Sequence, residues 1–434
     1  MRIDTSPARG MKDYLPSEVR LRNWMLSKIL ETYTQRGFSQ IETPAVENLD
    51  RLVGSGGGEN EKLIFKILKR GEKLSNADQN ASELADLGLR FDLTVPLARY
   101  YAHNFAKLPA VFRSIQAGPV WRAERPQRGR LRQFMQCDID IIGEASILAE
   151  LELISVSLSA ASRLGIASPT LRFNDRRFLD GLLNWAGISH SAAGAVLILL
   201  DKMDKIGREG VISELGELGL DSHSFAKFSG YLEFSESSEQ LPTGFFSEIG
   251  LDEATVADLE AIVSLGKTSP MVGAKFIFDP NVIRGMGYYT GPIFELGVGE
   301  LGFSIGGGGR YDTMMARFGR PSPACGFSLG FERIALYLEE RAQVTEPAAP
   351  EVFLRCVSTL DYPVASAIAD RLVKQGMRVA IESDSRKLES TLKLLRAEQA
   401  QRSHDRAPWV ALVEVSSSGN RVHRVAGELP ELGL

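Results

Sequence analysis

Apolar positions along the chain recur with two periods. Between residues 17 and 36, Leu21, Trp24, Met25, Ile29 and Tyr33 return every three or four positions, which predicts an amphipathic helix that Gly37 stops. FSQIETPAVENL then reads as extended, because Pro44 keeps Thr43 out of helical conformation. A strand-like KLIFKIL follows a glycine-rich turn, and GLRFDLTVPLARYYAHNFA predicts a strand and then a helix starting near Thr94. GPVWRAE and RQFMQCDIDIIG alternate apolar and polar positions, as two antiparallel strands joined by RPQRGRL would. From about 170 to 275 the texture turns mostly helical, beginning with LRFNDRRFLDGLLNWAGI. Strand and glycine texture returns from KFIFDPNVIRGMGYYTGPIFELG to ACGFSLGFERIALYLEE. Beyond a linker, RAQVTEPAAP, a β-α-β-α-β alternation predicts a small, mostly parallel, two-layer domain with helices over 363–375 and 386–402.

A length of 434 residues exceeds one ordinary core and suggests roughly three domains. A net charge of -5 excludes a wholesale nucleic-acid coat or a polybasic membrane anchor, so any polyanion must be met by local basic patches. Cys137, Cys325 and Cys356 are far apart and form no CxxC pair, which argues against a disulfide framework or zinc site and suits a reducing cytosol. The five histidines are equally scattered, which argues against a histidine metal site or catalytic triad. No apolar run is long enough to span a bilayer, and the first residues lack the apolar stretch of a signal peptide.

The hairpin carries the densest chemistry. Strand side chains alternate between faces, so Met135, Cys137, Ile139 and Ile141 turn to a core while Phe134, Gln136, Asp138 and Asp140 share the other face. An aromatic, an amide and two acids make a costly surface unless solvent or a ligand meets them. Arg122, Arg125, Arg128, Arg130 and Arg132 crowd the loop and its edges against one acid, Glu124. Such a cluster is either a solvated tip with its own ion pairs or a seat for triphosphate or nucleic-acid backbone, since guanidinium forks grip phosphate oxygens in pairs.

Two further stretches favour a ligand. VIRGMGYYTGPIFE sets Arg284, Tyr288 and Tyr289 among glycines, and FSIGGGGRYD runs four glycines into Arg310. Both read as turns where backbone comes close to a ligand. No glycine run ends in Gly-Lys-Ser/Thr and no dinucleotide fingerprint follows a first strand, which excludes a P-loop or Rossmann site. ACGFSLGFERIALYL predicts a strand, a glycine turn and a helix with Arg333 in its first turn.

Together these motifs resemble the histidyl-tRNA synthetase family, within the class II aminoacyl-tRNA synthetases, over most of the chain. RAERPQRGRLRQF is similar to class motif 2, GFSLGFER to motif 3, and the segment around IETPAVENL to motif 1. RGMGYYTGPIFE and GGGGRYD are similar to the stretches that mark histidine-specific members, and LRFDLTVPLARY and LDKMDKIG fit as well. The resemblance implies an α+β catalytic core with an antiparallel sheet (1–170 and 273–340), a mostly helical insertion (171–272), a linker (341–350) and a small α/β anticodon-binding domain (351–434). It also implies a cytoplasmic homodimer, paired through motif 1, without a membrane partner.

The implied reaction has two steps. The carboxylate of L-histidine attacks the α-phosphate of ATP, with Mg2+ on the phosphates, to give histidyl-adenylate and pyrophosphate; the histidyl group then passes to the 3′ end of tRNA-His. By resemblance Arg122 holds the α-phosphate, Arg333 the γ-phosphate, and Arg284 sits by the α-phosphate and the histidine carboxylate. Glu124 and Arg130 help to position the nucleotide, and Phe134 stacks on adenine. Asp92 and Thr94 receive the α-amino group with Gln136 beside them, while Asp140 and Tyr289, with Tyr288 alongside, take the imidazole nitrogens. That suits a neutral imidazole, which offers one donor and one acceptor. Arg125 and Gln127 fall where the family meets the extra 5′ guanosine of tRNA-His, and the basic residues of the 386–402 helix would serve anticodon contacts. The alternative on the same core is the non-catalytic, synthetase-like regulatory subunit of ATP phosphoribosyltransferase. It typically lacks the anticodon-binding domain and loses the motif arginines, whereas Arg122, Arg284 and Arg333 are present here.

Overall fold

The computed structural model describes residues 3–425 other than 54–59, 72–73, 75–83, 128, 235–236, 269–272, 284–288, 300–303, 342–350, 384–385, 402–408 and 417–418. The chain forms two compact units, Met1–Asp13 with Arg22–Arg341, and Tyr14–Leu21 with Ala342–Leu434.

The larger unit contains strands β1 (Ser39–Gln40), β2 (Val46–Asn48), β3 (Lys66–Leu68), β4 (Ala85–Leu89), β5 (Phe112–Trp121), β6 (Gln133–Ile142), β7 (Thr170–Asp175), β8 (Lys275–Phe278), β9 (Pro292–Gly297), β10 (Ser304–Arg310) and β11 (Ala324–Gly330). Eight of them form one sheet in the order β1-β5-β6-β11-β10-β9-β7-β8, and β2-β4-β3 form a second. The interior pairs of the large sheet are antiparallel; its edge pairs, β1 with β5 and β7 with β8, are parallel.

Helices α1 (Pro16–Gln35), α2 (Leu49–Val53), α3 (Thr94–Asn104) and α4 (Leu148–Arg163) precede β7. The stretch between β7 and β8 holds α5 (Arg176–Trp185), α6 (His190–Leu200), α7 (Met203–Gly216), α8 (Ser222–Phe234), α9 (Thr243–Glu248) and α10 (Glu253–Thr268). Then come α11 (Asp312–Arg317) and α12 (Phe331–Glu340). In α1 Met25, Ile29 and Tyr33, four apart, are buried, and Gly37 turns the chain at φ +84°.

Three expectations change on contact with the fold. LRFND is not helical: Leu171 and Phe173 are buried at period two in β7, and the period switches at Asp175, whose carboxylate accepts from Arg177 N at 2.8 Å and starts α5. The glycine run 306–309 is not a turn but the middle of β10, paired on both sides. There a Cβ on Gly308 would lie 1.9 Å from the Gly326 carbonyl oxygen, so the close approach is strand to strand.

The smaller unit has β12 (Glu351–Cys356), α13 (Tyr362–Lys374), β13 (Arg378–Glu382), α14 (Leu388–Gln401), β14 (Trp409–Val415) and β15 (Arg421–Arg424). Its sheet runs β13-β12-β14-β15, parallel except for β15. The third change is here. Val352, Leu354, Val413 and Val415 pack with Ile368 and Leu372 of α13, whereas the alternate residues Phe353 and Leu412 pack with Leu395 of α14. The helices therefore cover opposite faces, in three layers rather than two, as the unbroken VFL run of β12 requires. Of the basic residues expected on the last helix, Lys393 and Arg396 are on α14, Arg386 and Lys387 precede it, and Arg402 lies outside the described residues.

Candidate active site

The predicted hairpin pairs Val120 with Phe134, Gly118 with Gln136, Gln116 with Asp138 and Ser114 with Asp140. On the other side β11 sets Gly330 against Gln136, Ser328 against Asp138 and Gly326 against Asp140. Opposed residues share a face, so glycines flank Gln136 on both sides, Ser114 and Gly326 flank Asp140, and Gln116 and Ser328 flank Asp138, which leaves a hollow above them. The hollow is sterically kept: a Cβ on Gly326 would come 2.1 Å from Asp140 Oδ1, and one on Gly309 would come 3.1 Å from the Tyr289 ring. On the far face Cys137, Ile139 and Ile141 are buried, as the alternation predicts.

Two adjoining cavities occupy this face. The smaller, about 250 Å³, is lined by Asp92, Thr94, Asp138, Asp140 and Tyr311 among others. The larger, about 570 Å³, is lined by Glu124, Arg130, Phe134, Lys205, Glu332 and Arg333 among others. Arg122, Gln136, Tyr289 and Ser328 line both. The small cavity is acidic. Burial pushes Asp92 up to about 6 despite a hydrogen bond from Val95 N at 3.2 Å. Burial pushes Asp140 up to about 7, against a 2.6 Å hydrogen bond donated by Tyr311 Oη. Asp138 is raised well above the carboxylate range, first by burial and then by Asp140. Three carboxyls whose ionisation burial resists favour the entry of a compensating cation.

Among the described residues the larger cavity sets Arg122, Arg130, Arg172, Lys205 and Arg333 against Glu124, Asp201, Glu295 and Glu332. Arg122 donates through Nε to Phe91 O at 2.9 Å, and its guanidinium lies 5.0 Å from the Phe134 ring centre. Arg333 donates to Ser304 O at 2.6 Å. Arg130 pairs with Glu124 at 3.2 Å, so part of the arginine crowd makes the ion pairs of a solvated tip.

A model of the family described as histidyl-tRNA synthetase matches residues 10–334. The chain belongs to the histidyl-tRNA synthetase family. It is 44% identical over 404 residues to the histidine–tRNA ligase of Leifsonia xyli, covering 89% of this chain and 92% of that one. It is 41% identical over 413 residues to the probable histidine–tRNA ligase of Tropheryma whipplei, covering 90% and 93%. The crystal structure of histidyl-tRNA synthetase from Nostoc superposes with a TM-score of 0.74 at 25% identity, covering 98% of this chain and 97% of that one. A Bacillus halodurans structure titled ATP phosphoribosyltransferase regulatory subunit/histidyl-tRNA synthetase has the same fold, with a TM-score of 0.72 at 20% identity, over 91% and 97%. The ligase names of the 41–44% relatives set the synthetase reading above the regulatory one.

Of the residues that family membership singles out, the fold gathers Asp92, Thr94, Arg122, Gln136, Asp140 and Tyr289 at the smaller cavity. Arg122, Glu124, Arg130, Phe134 and Arg333 line the larger one. Arg125 and Gln127 are exposed at the hairpin tip. Arg284 and Tyr288 lie outside the described residues. Arg310 turns away from both cavities and pairs with buried Glu150 at 2.6 and 2.8 Å.

The sequence reading missed four participants. Tyr311 and Ser328 sit inside the quoted motifs GGGGRYD and GFSLGFER, yet nothing local marks their contacts. Glu332 receives both guanidinium nitrogens of Arg22, at 2.5 and 2.9 Å, and the Met135 amide at 3.0 Å. This clamp ties α1, β6 and the start of α12 together, beside Arg333. Among the described residues no single helix is long and apolar enough to cross a membrane.

Proposed function

We propose that this chain is a histidine–tRNA ligase, activating L-histidine with ATP to histidyl-adenylate plus pyrophosphate and passing the histidyl group to the 3′ end of tRNA-His. The observation that carries the reading is the junction of the two cavities at Arg122, where an acidic pocket of amino-acid size opens into a cavity of nucleotide size that Arg130, Arg172, Lys205 and Arg333 also line.

Arg122 at that junction meets both the histidine carboxylate and the α-phosphate, and holds attacking and accepting groups together. No covalent nucleophile is needed; positioning and charge neutralisation lower the barrier. Arg333 takes the γ-phosphate, Phe134 stacks on the adenine, and Glu124 with Arg130 steadies the nucleotide. Arg284 joins Arg122 at the carboxylate. Asp92, Thr94 and Gln136 receive the α-ammonium. Asp140, oriented by Tyr311, accepts an imidazole N–H, with Tyr289 and Tyr288 at the other nitrogen.

Mg2+ fits as an ion carried by the ATP phosphates, where it supplies charge neutralisation. Of the carboxylates that line the larger cavity, Glu124 and Glu332 are each already engaged by an arginine, and the described residues contain no group of three or more metal-binding side chains.

The proposal extends to tRNA. Arg125 and Gln127 at the tip meet the extra 5′ guanosine, helices between β7 and β8 form the insertion of residues 171–272, and the unit of 351–434 after the 341–350 linker binds the anticodon. The enzyme works as a cytoplasmic homodimer. Charging assays with labelled histidine test this: tRNA-His should be charged, and the same tRNA without its 5′ guanosine should be charged far more slowly. Equal charging of the two removes Arg125 and Gln127 from the account; no charging of either removes the ligase reading.

A further inference from the structure

Two buried acceptors in the smaller cavity have no partner among the described residues, Gln136 Oε1 and Asp138 Oδ1. They stand two apart on β6, on one face. The donors of the Gln136 amide are taken: Nε2 reaches Ser328 Oγ at 3.1 Å and Asp138 Oδ2 at 3.5 Å. Ser328, opposite Asp138 on β11, in turn hydrogen-bonds the Asp138 carboxyl. Once an entering cation ionises Asp138, turning the amide over would aim its oxygen at a carboxylate and at a hydroxyl oxygen whose proton is already committed, so the relay then fixes its orientation.

Among the described residues no side chain or backbone group donates to either acceptor. Gln116, opposite Asp138 on β5, donates to Leu93 O and accepts from Thr43 Oγ1, both at 3.0 Å. The charged groups that face Asp138 are Asp140 on its own strand, Asp92 before α3, Arg122 after β5 and Arg90 after β4. An acceptor buried without a partner is costly, and two in one cavity call for N–H donors from a ligand.

We propose that Asp138 is a specificity-determining residue that acts twice: with Ser328 it holds the Gln136 amide oxygen towards the cavity, and its own Oδ1, beside that oxygen, receives N–H groups of the substrate ammonium. The inference rests on the amino-acid reading of this cavity and adds the pair that demands an amine there. A hydrogen in place of the ammonium leaves both acceptors unmet, which is how a polar site rejects an analogue.

The test titrates L-histidine and imidazole-4-propionate, which lacks the ammonium, into the full-length wild type, Asp138→Asn and Ser328→Ala by calorimetry. The wild type should prefer L-histidine by about a hundredfold or more. Asp138→Asn should cut that preference about tenfold and Ser328→Ala about threefold, while affinity for the propionate stays put. An unchanged preference in folded variants, or a wild type that binds both ligands alike, overturns the inference. Ser328→Ala keeps the carboxylate and carries the test if Asp138→Asn does not fold. A wild type that discriminates the ligands, yet shows no histidine-dependent ATP–pyrophosphate exchange, would overturn the ligase reading and leave this inference standing.

Discussion

Tyr311→Phe removes one hydroxyl from the described structure and should change a pH profile more than a fold. The tyrosine is buried, and its hydroxyl lies 2.6 Å from Asp140 Oδ1. A hydrogen bond to a charged acceptor is worth about 1.5–3 kcal/mol, and 1.36 kcal/mol corresponds to one pH unit in a titration. Without it Asp140, already pushed up to about 7 by burial, should titrate roughly one to two pH units higher. The carboxylate form is the one that accepts an imidazole N–H, so activity on the acid side should fall as pH drops through this value. At about pH 7.5 the ionised fraction would fall roughly three- to twenty-five-fold, and kcat/KM for histidine should fall with it. The loss should recover above about pH 9. The assay is ATP–pyrophosphate exchange at sub-saturating histidine across pH. An equal loss at every pH, with the acid limb unmoved, would show that the hydroxyl only packs and would refute the reasoning.

Three other outcomes follow from the same contacts. Asp92 and Asp140 titrate higher when folded, at about 6 and about 7, so their contribution to stability is full below the ordinary carboxylate value and is lost as pH rises through those values. Histidine offers compensating donors, so the rise in thermal midpoint that it gives should grow between about pH 5.5 and about pH 8; a pH-independent rise would contradict this. Gly308→Ala puts a Cβ 1.9 Å from a backbone oxygen of β11 and should destabilise by roughly 1–3 kcal/mol or more, read as a lower thermal midpoint; wild-type stability would show that β10 and β11 can part. Glu332→Ala removes the carboxylate to which Arg22, 15% exposed in its side chain, donates, and should cost about 1.5–3 kcal/mol. Because α12 starts there, KM for ATP should rise as well; a stability loss with unchanged KM would separate the clamp from Arg333.

Much of the site was legible because strands write their faces into sequence with period two. Phe134, Gln136, Asp138 and Asp140 could be placed on one face from spacing alone, and the fold puts all four along the cavities. Glycine was less readable, since it serves turns and closely packed strands alike; only the pairing of β10 with β9 and β11 decides between them. LRFND merged with the helix after it because two apolar residues are too few to show a period of two, and only the cap at Asp175 marks the change. Contacts between distant segments left no local trace: Tyr311 and Asp140 are 171 positions apart, and Arg22 and Glu332 are 310 apart. The arginine crowd answered to both of its readings, since Arg130 is paired at the tip with Glu124 while Arg122 bridges the two cavities.

The most direct measurement is exchange of labelled pyrophosphate into ATP by the purified chain with Mg2+, with each amino acid supplied in turn. The account predicts exchange with histidine alone, and its loss by several orders of magnitude in Arg122→Ala, which removes the group at the junction of the cavities. Exchange driven by another amino acid, or none from folded protein, would contradict it.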